Sequence, residues 1–285
     1  MPTRFATNGL ARLAYEVSGA EGGPVVALLH ATLGERRDLA PLRDALVAVG
    51  FRTIVPDARG HGASAALAKQ SFTVTDMAND LFTVLDAEKL MRPGRRPVQL
   101  VGHGQGALAA LELARWRPEH VASLVLIEPE LLSVLDEAAD PGASAARDEA
   151  RRANADAADA AYKALGDRAV ALYLDRRWGH GWNERLSRPR QAALRRHVGA
   201  LAGSLPALAE YRLTAAEAMA IRVPTLVVAA ETSPAAERCI ANRLAEWLPA
   251  ADLIIVADLP GGAPFRAAGA AAVDRIRAFQ TARAG

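Results

Sequence analysis

Val101-Gly102-His103-Gly104-Gln105-Gly106 decides the fold. Residues 97–101 (Pro-Val-Gln-Leu-Val) lead into it as a near-continuous apolar run, which suits a strand buried on both faces of a parallel sheet. Residues 105–116 leave it as a helical pattern. The glycines between permit a tight turn and a close approach of helix to strand. The same alternation continues outward. Residues 24–29, 51–56, 121–127, 223–229 and 252–257 are further apolar runs. Val74, Met77, Leu81, Val84 and Leu85 share one helical face, and 235–247 reads as another helix. Residues 3–6 and 11–17 predict an opening antiparallel hairpin. Residues 131–215 break the pattern. They carry no strand signal, are rich in Ala, Arg, Asp and Glu, and are too long for a structureless loop. The layout predicts an α/β chain with a doubly wound, mostly parallel sheet. Residues 1–130 and 216–285 form its core, and 131–215 form a helical cap inserted after the sixth strand. The first half of the cap, 136–168, is polar and alanine-rich, so it is expected to bury little surface.

Composition excludes several classes. The 285 residues are 51% apolar and 23% charged, which gives a full core and no disordered chain. A net charge of +2, from 34 basic and 32 acidic residues, argues against a nucleic-acid partner. No apolar run approaches the ~18 residues of a membrane span, and the N-terminus lacks a signal-peptide pattern. A cytoplasmic protein with no membrane partner is therefore expected. The single Cys239 excludes an internal disulfide and a Cys-based zinc site, and no metal or cofactor is expected.

The strand–turn–helix at 101–106 has the context of a nucleophile elbow, whose pattern is G-x-S-x-G. Here the chain resembles the α/β-hydrolase superfamily, over nearly its whole length. Leu29-His30-Ala31-Thr32 looks like the family's turn after the third strand. Asp57-Ala58-Arg59-Gly60-His61-Gly62-Ala63-Ser64 looks like its Asp-x-Arg-Gly-His-Gly-x-Ser segment, and Pro224-Thr225-Leu226-Val227-Val228 its seventh strand. The resemblance implies an α/β-hydrolase fold with a site at the carboxyl ends of the strands, beneath the cap. It also implies oxyanion donors at the backbone N–H groups of Thr32 and Gln105.

The departures from that family bear on function. Gly104 stands where the family carries Ser, and glycine has no nucleophile. Leu259-Pro260-Gly261-Gly262-Ala263-Pro264-Phe265 looks like the turn that carries the family's base, with Pro264 at the histidine position; no histidine follows His197. Ser233 stands at the usual Asp position. Ser233-Pro234 and Ile127-Glu128-Pro129 resemble a bacterial branch of the family with its acid after the sixth strand, which makes Glu128 the acid candidate. With all three triad positions altered, ordinary serine hydrolysis is not expected.

The residues expected at that edge are His30, Ala31, Thr32, Asp57, Arg59, His61, His103, Gln105, Glu128, Glu130, Glu231 and Thr232, and they define the expected site. His103, His30 and Glu128 are the acid/base candidates, since imidazole titrates near neutrality. His30, Thr32, His103, Gln105 and Glu128, with Trp178 and Trp182 from the cap, are the ligand-binding candidates. The ligand expected is a small molecule with a carbonyl or carboxylate. Three functions compete: a small-molecule-binding pseudo-hydrolase; a lyase, isomerase or cyclase using the oxyanion donors with a pocket His or Glu; and a hydrolase with relocated machinery.

Overall fold

A computed structural model of the chain describes residues 2–67, 71–137, 140–257 and 270–283. The strands are β1 (Arg4–Asn8), β2 (Ala11–Ser18), β3 (Val25–Leu29), β4 (Arg52–Pro56), β5 (Val98–His103), β6 (Val121–Ile127), β7 (Thr225–Ala230) and β8 (Ala251–Val256). The helices before β6 are α1 (Ala40–Val47), α2 (Val74–Ala87) and α3 (Gln105–Trp116). Between β6 and β7 run α4 (Pro141–Tyr162), α5 (Gly166–Trp178), α6 (Trp182–Arg185), α7 (Arg188–Arg196), α8 (Val198–Glu210) and α9 (Ala215–Ala220). Then follow α10 (Ala235–Trp247) and α11 (Ala270–Thr281).

Among the described residues the strands form one sheet in the order β1-β2-β4-β3-β5-β6-β7-β8. The β1–β2 and β2–β4 pairs are antiparallel and the others parallel, which is the expected doubly wound, mostly parallel arrangement. The strand order turns back on either side of β3, so the loops after β3 and β5 open at a switch point, where α/β sheets bind ligands. Apolar side chains fill both faces of the sheet. Val26, Leu28, Val101, Val125 and Val228 pack on the α1–α11 side; Ala27, Leu100, Leu124 and Val227 pack on the side of α2 and α3. This is why the central strands read as unbroken apolar runs.

Two features set up the site. First, α3 is buried from Gln105 to Ala114 and starts directly at the end of β5. A β-carbon on Gly106 would lie 2.7 Å from the Leu29 backbone oxygen, so glycine is what lets α3 sit against β3. Second, helices crowd between β6 and β7. The alanine-rich 22-residue α4 turns Ala150, Ala157, Ala160 and Ala161 inward, against α5 and α8. Small side chains let these helix axes approach closely, so an alanine face docks where few large apolar residues are present.

Candidate functional site

The elbow keeps its form. Gly104 has φ 56° and ψ −118°, and it precedes the first turn of α3. Its N–H donates to Ile127 O at 2.9 Å, and its carbonyl accepts from Ala107 N–H at 3.1 Å. A positive φ is cheap for glycine and strained for other residues. Gln105 is the first helical residue, so its N–H has no partner within the helix.

A carboxylate fills the space a side chain on Gly104 would take. A β-carbon there would lie 2.7 Å from Glu130 Oε1 and 3.1 Å from Ala31 Cβ. Glu130, just past β6, is buried and its oxygens are well supplied with donors. Tyr173 Oη donates to Oε1 at 2.9 Å, and Thr32 Oγ1 donates to the same atom at 3.3 Å. Arg177 Nη2 donates to Oε2 at 2.8 Å. Tyr173 and Arg177 are one turn apart on α5 and so share a face; the Arg177 guanidinium lies 3.9 Å from the centre of the Tyr173 ring. Burial raises the Tyr173 pKa well above the ordinary phenol value, which keeps the phenol a donor. Burial also works against the Arg177 charge, but Tyr173 with Glu130, Glu237 and Glu128 holds its pKa above the usual value. Beside it, Arg176 makes a two-pronged bond to Glu237 of α10, at 2.8 and 2.5 Å. Burial opposes the Glu237 charge too, yet the Arg176 hydrogen bonds outweigh it and lower the pKa. Thus α5 docks on the core through two buried ion pairs.

A second polar chain lies beside the first. Ser233 donates to Glu128 Oε1 and accepts from Ala230 N–H at 2.8 Å. Glu128 Oε2 lies 3.5 Å from His103 Nε2. Glu128 has φ 41°, a left-handed conformation that costs a non-glycine residue on the order of 1–3 kcal/mol. The structure therefore brings Ser233, Glu128 and His103 together.

His30 is engaged elsewhere. Its Nε2 accepts from Ala58 N–H at 2.9 Å, and its Nδ1 donates to Ala31 O at 2.8 Å. His30 and Gln105 meet at a cavity of about 40 Å³ whose other walls include Leu29, Met77, Leu81 and Val84. Trp178 and Trp182 pack edge-to-face, ring centres 6.1 Å apart, and Trp182 Nε1 donates to Asp175 at 2.8 Å. Both are half-buried against the core cluster. Pro264 lies outside the described residues. Among those residues no group of three His, Cys, Asp or Glu is arranged to hold a metal ion, and no helix is long and apolar enough to cross a membrane.

Sequence reasoning puts Glu130 at the carboxyl edge of the strands but misses its pairing with Tyr173 and Arg177. The one sequence signal of that pairing is the spacing of Tyr173 and Arg177 four residues apart.

A mostly parallel sheet, a sharp β5–α3 turn and helices inserted after β6 define an α/β-hydrolase architecture. The chain belongs to the alpha/beta hydrolase fold family, whose sequence profile matches residues 24–259. It is 39% identical over 115 residues to the "Putative carbamate hydrolase RutD" of Variovorax paradoxus, covering 40% of this chain and 41% of that protein. It is 34% identical over 116 residues to an epoxide hydrolase of Caballeronia sordidicola, covering 40% of this chain and 33% of that one. The matches thus span well under half of either relative. A solved hydrolase from Pseudomonas aeruginosa superposes with a TM-score of 0.77 at 22% identity, covering 98% of both chains. At that identity the superposition speaks for the fold alone.

Proposed function

We propose that this protein is a small-molecule-binding member of the hydrolase fold that does not carry out serine hydrolysis. One observation carries this reading: Glu130 Oε1 stands where the elbow side chain would project, held by Thr32, Tyr173 and Arg177. A carboxylate tied to a buried guanidinium is a weak nucleophile, and Gly104 offers none. The α3 N-terminus at Gln105 and the Thr32 backbone supply N–H donors suited to a carbonyl or carboxylate ligand. On this reading 131–215 is a cap over the strand ends, and Trp178 and Trp182 set its position on the core.

A non-hydrolytic enzyme is the second reading, favoured by the Ser233–Glu128–His103 chain. A strained Glu128 and a histidine within 3.5 Å form a proton-transfer pair of the kind lyases and isomerases use. The test is a panel of small esters, lactones and carboxylates, followed by thermal shift and by mass spectrometry of the small molecule. Stabilisation with the compound recovered unchanged supports a binding protein. An isomerised or eliminated product that disappears in His103→Ala supports the second reading. A hydrolysed product formed at enzymatic rates overturns both in favour of relocated hydrolytic machinery.

A further inference from the structure

Three buried histidines from three separate segments meet beside the Thr32 loop. His30 follows β3, His61 follows β4, and His197 joins α7 to α8 in the cap. The rings of His30 and His61 are 5.1 Å apart, and those of His61 and His197 are 5.7 Å apart. Each ring is committed in the same way. His30 Nε2 accepts from Ala58 N–H, His61 Nε2 from Leu33 N–H at 3.3 Å, and His197 Nε2 from Gly62 N–H at 3.1 Å. A backbone N–H can only donate, so each Nε2 carries a lone pair and each proton sits on Nδ1. Those Nδ1–H groups donate to the carbonyls of Ala31, Arg59 and Leu33, at 2.8, 3.0 and 3.4 Å. The geometry therefore uses the neutral ring at all three positions. A second proton on any of them sets N–H against N–H.

His197 is the member that joins the cap to the core. It bonds both the Leu33 carbonyl and the Gly62 N–H, so one cap side chain bridges the loops after β3 and β4. Leu33 itself has φ 63° and is held on both sides, its N–H by His61 and its carbonyl by His197. Thr32, a donor to Glu130, is the residue just before it. The surrounding charges are largely spoken for. Asp57 is bonded by Arg36, and Arg59 by Asp80. Arg190 of α7 bonds Asp38 at 2.6 Å. Gln105 Nε2 lies 3.5 Å from His61 Nε2. Glu35 faces His197 at 3.9 Å, and the Asp57 charge also favours an imidazolium there.

We propose that this trio is an acid-sensitive latch, which docks α7 and α8 on the Thr32 loop while His197 is neutral and releases them when it is protonated. As regulation of the candidate site, it rests on the Thr32 loop being part of that site. Burial, with the neighbouring His30, lowers the His197 pKa despite Glu35, the Leu33 carbonyl and Asp57, and burial lowers that of His61 further. The undocked ring takes a proton near the usual 6.5. Each pH unit below that weakens docking by up to about tenfold until the docked ring titrates too.

The test is hydrogen exchange of the whole chain at pH 7.5, 6.5, 5.5 and 5.0, corrected for intrinsic rates. Protection across 188–210 should fall up to about tenfold per pH unit below 6.5, while β5 stays protected. In His197→Gln the amide oxygen can accept from Gly62 N–H without titrating, so the cap should exchange independently of pH. Protection across 188–210 that ignores pH in the wild-type protein overturns the latch. So does an unchanged pH response in His197→Gln. Should that variant not fold, long-range 15N NMR of the wild-type imidazoles decides. Three neutral Nδ1–H rings at pH 7.5 support the latch, and a charged or Nε2–H His197 overturns it. Thermal stabilisation by the panel of small esters, lactones and carboxylates at pH 7.5 is measured on the same samples. Lost binding with an intact pH response sinks the site reading alone, and intact binding with flat exchange sinks the latch alone.

Discussion

Glu130 Oε1 lies 2.7 Å from the point where a β-carbon on Gly104 would stand. The residue absent from the elbow and the carboxylate that fills its space are thus one feature. Gly104→Ser adds a strained left-handed residue and a collision, and should cost about 1–3 kcal/mol. Glu130→Ala in the same chain should return part of that cost, a coupling of about 0.5–3 kcal/mol in a double-mutant cycle. Urea titrations of the four proteins measure it. Purely additive costs would mean that the two residues do not share the space. Gly104→Ser alone should not turn over p-nitrophenyl acetate, because on the proposed reading Pro264 replaces the base.

Arg177 neutralises Glu130 in a buried setting. Arg177→Met leaves that carboxylate unpaired and should destabilise the protein by about 3–5 kcal/mol. Adding Glu130→Leu removes the stranded charge and should recover most of the loss. Chemical denaturation of both variants checks this, and a double variant no more stable than Arg177→Met would refute it.

Much of this was legible in the sequence. The apolar run at 97–101 became β5, the 105–116 pattern became α3 with the same bounds, and Gly104 fell at the turn. Local periodicity carries such elements because it follows from which faces are buried. Glu128 and Ser233 meet because both lie shortly after strands whose ends converge. The contacts that join Glu130 to Tyr173 and Arg177, and His30 and His61 to His197, were not legible. Each needs the helices between β6 and β7 to dock at one rotation, which long-range packing of α4, α5 and α8 decides. Residues 136–168 show the same limit: counting large apolar residues undervalues a helix that buries alanines.

That alanine face gives a further prediction. Ala157 is fully buried on α4. Ala157→Leu should overpack the helix contact and cost about 1–3 kcal/mol. Thermal unfolding measures it, and an unchanged midpoint would mean that α4 is loosely docked.

Stability should fall with acid in two stages. His61 and His197 have folded pKa values below 6.5, so the unfolded chain takes up protons first as pH falls through 6.5. Their contribution is therefore fully present above that pH and declines below it. Glu237 has a folded pKa below 4.5, so its contribution is present above 4.5 and is lost as pH drops further. Unfolding midpoints from pH 8 to 3 should show both slopes. Glu237→Gln should make the lower one, which Glu88 and Glu112 share because despite burial their arginines also hold them below 4.5, shallower and leave the upper one intact. A lower slope unchanged by that substitution would place the acid sensitivity elsewhere.

The central claim is that the elbow holds no serine nucleophile and no substitute serine serves in its place. The most direct measurement is intact-mass analysis after incubation with a fluorophosphonate probe at pH 7.5, beside an active serine esterase as control. The account predicts full labelling of the control and no adduct on this protein. A stoichiometric adduct mapped to any serine of this chain would contradict it.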